Sequence, residues 1–271
     1  MSTVSLDHQS QSLDNPLGFS PREVEQFERD GFVIARGLGD PETVSRMRQV
    51  TREHVEREVL PVEFEAEVEY PGAPGSLDAP GGRTIRRLKQ AHARDIVFTD
   101  WVCSDAMTTC LSQLLGPEIA MPLAHHNCIM TKQPKHSSDT SWHQDIRYWS
   151  YQRPELVSVW LALGSEYPEN GGLHVIPGSH RIQFDRAQFD EQLFFREDAP
   201  ANQELLASVV PVELKPGDVL FFHCRTLHSA SRNRSNAMKC SVVFTFRPAD
   251  NKPKPGSRSA RGGALLLPVV E

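Results

Sequence analysis

From Ile119 onward the chain is written in short apolar runs separated by turns: AHHNCIM, LVSVWLAL, LHVIP, VVPVEL, DVLFFH and KCSVVFTF. Each is strand length and rich in Val, Ile and Phe, and six of them within about 130 residues specify an antiparallel barrel or sandwich. Pro216-Gly217-Asp218 is a turn that feeds DVLFFH. The first half reads differently. In SPREVEQFERDGF, Ser20 is an N-cap, Pro21 the first helical residue and Glu23 the end of a capping box, and Gly31 stops the helix. FVIARGL follows as a short strand. A second helix begins near Pro41 with Val44, Met47, Val50 and Val55 at helical spacing, and a third is predicted over about 93–115, closed by Gly116-Pro117.

The fold class is therefore mainly β with flanking helices, in one domain over 19–248. Residues 1–18 are polar, without periodicity, and expected to be disordered. Residues 249–271 are expected to form a partly flexible tail. The Pro/Gly-rich loop 70–82 is expected to be mobile.

The net charge of −6 in 271 residues argues against nucleic acid or an anionic membrane as the main partner. No apolar run approaches the roughly 20 residues of a membrane span. Cys103, Cys110, Cys128, Cys224 and Cys240 form no CxxC pair, and an odd, scattered set reads as free thiols in a reducing compartment, hence the cytoplasm. Nothing in the sequence fixes an oligomeric state.

The chemistry is concentrated in SWHQDIRYW, 141–149. In an extended segment residues i and i+2 point the same way, so His143 and Asp145 can share one ion. With a second imidazole from another strand they would form the facial triad of non-haem iron(II) oxygenases, which leaves three coordination positions open. His223 and His228 in GDVLFFHCRTLHSASRNRS are the candidates, and spacing alone leaves both open.

Taken in order, WHQD, ENGGLHVIPGSH and PGDVLFFHCRTLHSASRNRS resemble the phytanoyl-CoA dioxygenase family of 2-oxoglutarate oxygenases. The similarity extends upstream to IRRLKQAHARDIVFTDWV and LLGPEI, and covers most of 20–248. It implies a double-stranded β-helix, a jelly-roll or cupin-like barrel, with helices packed on one side. It also implies Fe(II), 2-oxoglutarate as cosubstrate and O2. The metal ligands it implies are His143, Asp145 and His228, with His223 outside the ligand set and His174 and His180 structural.

The family's cation for the distal carboxylate of 2-oxoglutarate is an arginine eleven residues after the distal histidine, where this chain has Lys239. Strand parity puts Lys239, Ser241, Val243, Thr245 and Arg247 on one side of KCSVVFTF, away from the apolar Cys240, Val242, Phe244 and Phe246. A lysine is a point charge where arginine is a fork. The resemblance also places Arg87, His126 and Trp160 at the cosubstrate and Trp149 beside the metal in the substrate pocket. Because Asp145 is present, oxidation is implied and not halogenation. Hydroxylation of a small-molecule metabolite is the main expectation. Desaturation, cyclisation or epimerisation with the same cofactors is an alternative, as is a non-catalytic binding or sensing role suggested by Lys239. Segments 60–82 and 182–206, with the C-terminal tail, are expected to choose the substrate, and 70–82 and 182–206 to close over it.

Overall fold

A computed structural model describes residues 17–269, so all but the last two residues of the expected disordered segment 1–18 lie outside it. Helix α1 (Pro21–Asp30) starts as its sequence predicts: the Glu23 carboxylate accepts the Ser20 amide N–H at 2.8 Å, and Gly31 ends the helix at φ 80°. Helix α2 (Pro41–Glu56) is capped by Asp40, whose carboxylate accepts the Glu42 and Thr43 amides; such a cap is worth about 1 kcal/mol. The predicted third helix is two, α3 (Ile96–Val102) and α4 (Asp105–Leu115). The break falls at Ser104, whose hydroxyl accepts from the Met107 amide and starts a new helix within what reads as a continuous periodic run.

The strands are β1 (Phe32–Ala35), β2 (Val62–Phe64), β3 (Ile85–Lys89), β4 (Ile119–Pro122), β5 (Asn127–Lys132), β6 (Thr140–His143) and β7 (Val157–Ala162). They continue with β8 (Leu173–Val175), β9 (Val210–Pro211), β10 (Val219–His223), β11 (His228–Ala230), β12 (Lys239–Pro248) and β13 (Ala264–Leu266). One sheet runs β1-β10-β7-β12-β5-β3-β2, with β4 bridging β12 to β13; the other runs β6-β11-β8-β9. All pairings are antiparallel, and the two sheets form the walls of a double-stranded β-helix.

Parity assigns the two faces of the larger sheet. Val157, Val159, Leu161, Phe221, Val242, Phe244 and Phe246 pack outward against Met47, Phe98, Met107 and Leu111 of the helices. Trp160, Ala162, Leu220, Phe222 and Val243 point inward and meet Leu173, Val175 and Ala230 of the smaller sheet. The helices thus bury the outside of one wall, and the barrel interior is left for the site. The turn before β10 needs its glycine: Gly217 has φ 89°, and a Cβ there would lie 2.3 Å from the Gly39 carbonyl oxygen.

Strands β2 and β3 were not visible as such in the sequence; they extend the large sheet from β5. Of the VVPVEL run, only Val210–Pro211 pairs as a strand. The stretch after the barrel includes β13, paired to β4 in register Leu265↔Met121, and the buried Ser259. All five cysteines are unpaired and four are buried. No helix among the described residues is long and apolar enough to cross a membrane.

Candidate active site

Strands β6 and β11 pair so that His143 and His228 are direct cross-strand partners, with ring centroids 4.2 Å apart. Asp145 opens a single 3-10 turn just beyond β6. One donor atom from each of the three residues lies within 4.8 Å of the others, and all three residues are buried. Their hydrogen bonds set the tautomers. His143 Nδ1 donates to the Ser141 carbonyl at 2.8 Å, and His228 Nδ1 donates to the Thr226 carbonyl at 3.0 Å. Both Nε2 atoms face Asp145 Oδ1, at 3.8 Å from His143 and 3.6 Å from His228. Oδ1 is buried with no hydrogen-bond partner, while Oδ2 accepts the Ser158 hydroxyl at 2.6 Å and lies 3.5 Å from His126 Nδ1.

The electrostatics suit a cation. Burial would raise the Asp145 carboxyl, but His126, His228, His143 and the Ser158 hydroxyl outweigh it and hold the group below its ordinary value. Burial, with the His228 ring, keeps His143 well below its ordinary value, so it is a neutral imidazole with a free lone pair. The Nε2 atoms of His143 and His228 are directed at a buried carboxylate oxygen that has no hydrogen-bond partner. The donor set fits iron(II).

Beside the triad opens a pocket of about 420 Å³, lined among others by Tyr70, Arg87, His126, Tyr148, Trp149 and Arg258. Trp149 stands edge-on to His126, centroids 5.6 Å apart. Arg87 Nη1 donates to Glu63 at 2.6 Å. The neighbouring Arg86 does not reach this pocket: it is buried on Glu65, Ser138 and Thr140. The two segments expected to cover the site meet at Phe194, which packs against His143 (6.1 Å), Tyr70 (5.8 Å) and the Arg147 guanidinium (3.6 Å).

Lys239 and Trp160 lie deeper in the barrel, on the inward faces that parity assigns. Lys239 Nζ donates to Glu166 Oε2 at 2.9 Å, and Trp160 Nε1 sits 3.0 and 3.1 Å from the two Glu166 oxygens. The sequence reading missed Glu166, because it arrives from the loop after β7 and no strand alternation marks it. It also missed Ser158, which the same alternation in VSVWLA places two residues from Trp160 on the inward face. His223 is not part of the His143–Asp145–His228 cluster and packs against His180 at 5.3 Å.

Two histidines outside this triad give a pH prediction. Burial pulls His125 down to about 3 and His223 to about 4, below their ordinary 6.5. The unfolded chain therefore binds more protons in this range. Their contribution to stability is complete above pH 6.5 and is lost progressively as pH falls below it, down to about 4 for His223 and about 3 for His125. Urea midpoints of the metal-free protein should fall between pH 7.5 and pH 4.5; equal midpoints would show that these rings are not buried as described.

A sequence profile of the phytanoyl-CoA dioxygenase family (PhyH) matches residues 27–241. The ectoine dioxygenase of Halomonas elongata is 24% identical over 258 residues, covering 89% of this chain and 73% of the relative. Phytanoyl-CoA dioxygenase 1 of Oryza sativa is 27% identical over 221 residues, covering 80% and 76%. Among solved structures, EctD from S. alaskensis with 2-oxoglutarate and 5-hydroxyectoine matches with a TM-score of 0.73 at 21% identity, over 98% of this chain and 92% of that one.

Proposed function

The chain belongs to the phytanoyl-CoA dioxygenase family, and on that premise we propose that it hydroxylates a small molecule bearing an anionic group at an iron held by His143, Asp145 and His228. It is an iron(II)- and 2-oxoglutarate-dependent dioxygenase, which consumes O2 and releases succinate and CO2. The observation that carries the site assignment is the unpartnered, buried Asp145 Oδ1 faced by the Nε2 atoms of His143 and His228 beside a pocket. When bound, iron(II) with 2-oxoglutarate and O2 supplies the oxidising power to replace hydrogen by hydroxyl at carbon.

The chain's own residues position and exclude. The Ser141 and Thr226 carbonyls orient the two imidazoles, and the Ser158 hydroxyl holds the Asp145 rotamer. Phe194 and Tyr70 keep water from the triad side of the pocket. Lys239, Ser241 and Trp160 would hold the cosubstrate's distal carboxylate, and His126 and Arg87 line the space nearer the metal. Five unpaired thiols support a cytoplasmic setting.

The pocket supports the substrate class. Tyr70, Tyr148 and Trp149 give apolar walls, and Arg87, Lys89 and Arg258 line the pocket with a single carboxylate, Glu63, which Arg87 and Lys89 share. Arg258 is exposed and makes no ion pair among the described residues, so its charge is free to meet a carboxylate or phosphate. The test is succinate release across small carboxylates and phosphates, with ectoine included because of the relatives' names. Arg258→Glu should raise the KM of an accepted anionic substrate about five- to tenfold, leaving iron affinity unchanged. A preference for neutral or cationic substrates, or an unmoved KM, would overturn the assignment of charge.

A further inference from the structure

Glu166 is 1% exposed and Lys239 is 4% exposed, and their side chains meet inside the barrel. Three donors converge on the Glu166 carboxylate. Lys239 Nζ lies 2.9 Å from Oε2, the Ser241 hydroxyl donates to Oε1 at 2.6 Å, and Trp160 Nε1 approaches both oxygens. Lys239 Nζ also sits 4.7 Å over the Trp160 ring. The donors are on paired strands, Trp160 on β7 opposite Val243 and Ser241 on β12 opposite Ala162, and they face inward. Glu166 comes from outside that pairing: its backbone is bridged to Leu214, and only its side chain reaches in.

The barrel therefore carries a complete carboxylate cradle, and the carboxylate in it belongs to the chain. Chemistry makes this specific. The side chain of glutamate, two methylenes and a carboxylate, is the same fragment as the distal half of 2-oxoglutarate. We propose that Glu166 is an internal competitor for the cosubstrate's distal carboxylate, and that 2-oxoglutarate gains its anchor on Lys239, Ser241 and Trp160 only by displacing it. This rests on the reading of 2-oxoglutarate as cosubstrate and of Lys239 as its anchor. A tethered group competes at an effective concentration in the millimolar range, and displacement leaves a carboxylate to be rehoused. The distal carboxylate therefore adds little to affinity in the wild-type protein, and Glu166 sets the selectivity among 2-oxo acids.

The experiment compares 2-oxoglutarate with 2-oxopentanoate, which has the same chain length and no distal carboxylate. Binding is measured by calorimetry on the full chain loaded with Mn(II), so turnover plays no part. In the wild type the two affinities should agree within about threefold, and in Glu166→Gln 2-oxoglutarate should win by about 10- to 150-fold, the worth of one charge-assisted contact. Combining Glu166→Gln with Lys239→Met should bring the ratio back near unity. An unchanged or smaller ratio in Glu166→Gln overturns the proposal and leaves Glu166 as a plain counter-ion. Should Glu166→Gln fail to fold, the wild-type ratio decides: near equality supports the proposal, and a preference of about fiftyfold for 2-oxoglutarate overturns it. If neither 2-oxo acid binds the Mn(II)-loaded protein, the cosubstrate reading itself has failed, and the proposal with it.

Discussion

Asp145→Ala lowers Fe(II) affinity by more than about 100-fold and takes 2-oxoglutarate turnover to background. Loss of an outer-shell partner alone typically costs 10- to 100-fold, and Asp145 supplies the one anionic donor of the triad. The variant leaves two imidazoles and no anionic donor to offset a divalent charge. Ser158→Ala sets the comparison. It removes the hydrogen bond to Asp145 Oδ2 but leaves all three donors, so its loss of affinity should fall within the 10- to 100-fold range. Calorimetric Fe(II) titration under anaerobic conditions reads both. Wild-type affinity in Asp145→Ala would remove Asp145 from the metal site.

Glu65→Ala destabilises the protein by about 3–5 kcal/mol, because it leaves the Arg86 charge buried without its partner. Arg86 and Glu65 are 1% and 0% exposed. Arg86 Nη1 donates to Ser138 at 2.6 Å and lies 3.3 Å from Glu65, Nη2 donates to Thr140 at 2.9 Å, and Ser138 donates to Glu65 at 2.7 Å. This cluster fastens β3 to the start of β6, the strand that ends in His143, so metal affinity should fall along with stability. Pairing Glu65→Leu with Arg86→Met should recover most of the loss, since apolar replacement of a whole buried pair is often neutral. Urea denaturation checks both variants. A change below about 1 kcal/mol for Glu65→Ala would show that water already reaches the guanidinium.

The barrel was legible because strand alternation is written residue by residue: Cys240, Val242, Phe244 and Phe246 against Lys239, Ser241, Val243 and Thr245. The same alternation put His143 and Asp145 within reach of one ion. Choosing His228 over His223 needed the family resemblance, since both stand near the ends of strands and only the pairing of β11 with β6 brings one ring to the site. What stayed hidden was non-local. Glu166 reaches Lys239 across 73 positions, and Glu65 reaches Arg86 from a turn that no hydrophobic period marks. Ser104 split a helix whose apolar periodicity continues across the break. Arg258 reaches the pocket because Ser259 is bound by His125 and by the Ser150 amide, contacts that a Pro- and Gly-rich stretch does not announce.

The most direct test of the oxygenase assignment is the fate of the oxygen atoms. With Fe(II), 2-oxoglutarate and an accepted substrate under 18O2, each succinate formed should carry one labelled oxygen and each hydroxylated product the other, with chelator abolishing both. Succinate that carries no label, or product formed equally well without Fe(II), would contradict the account.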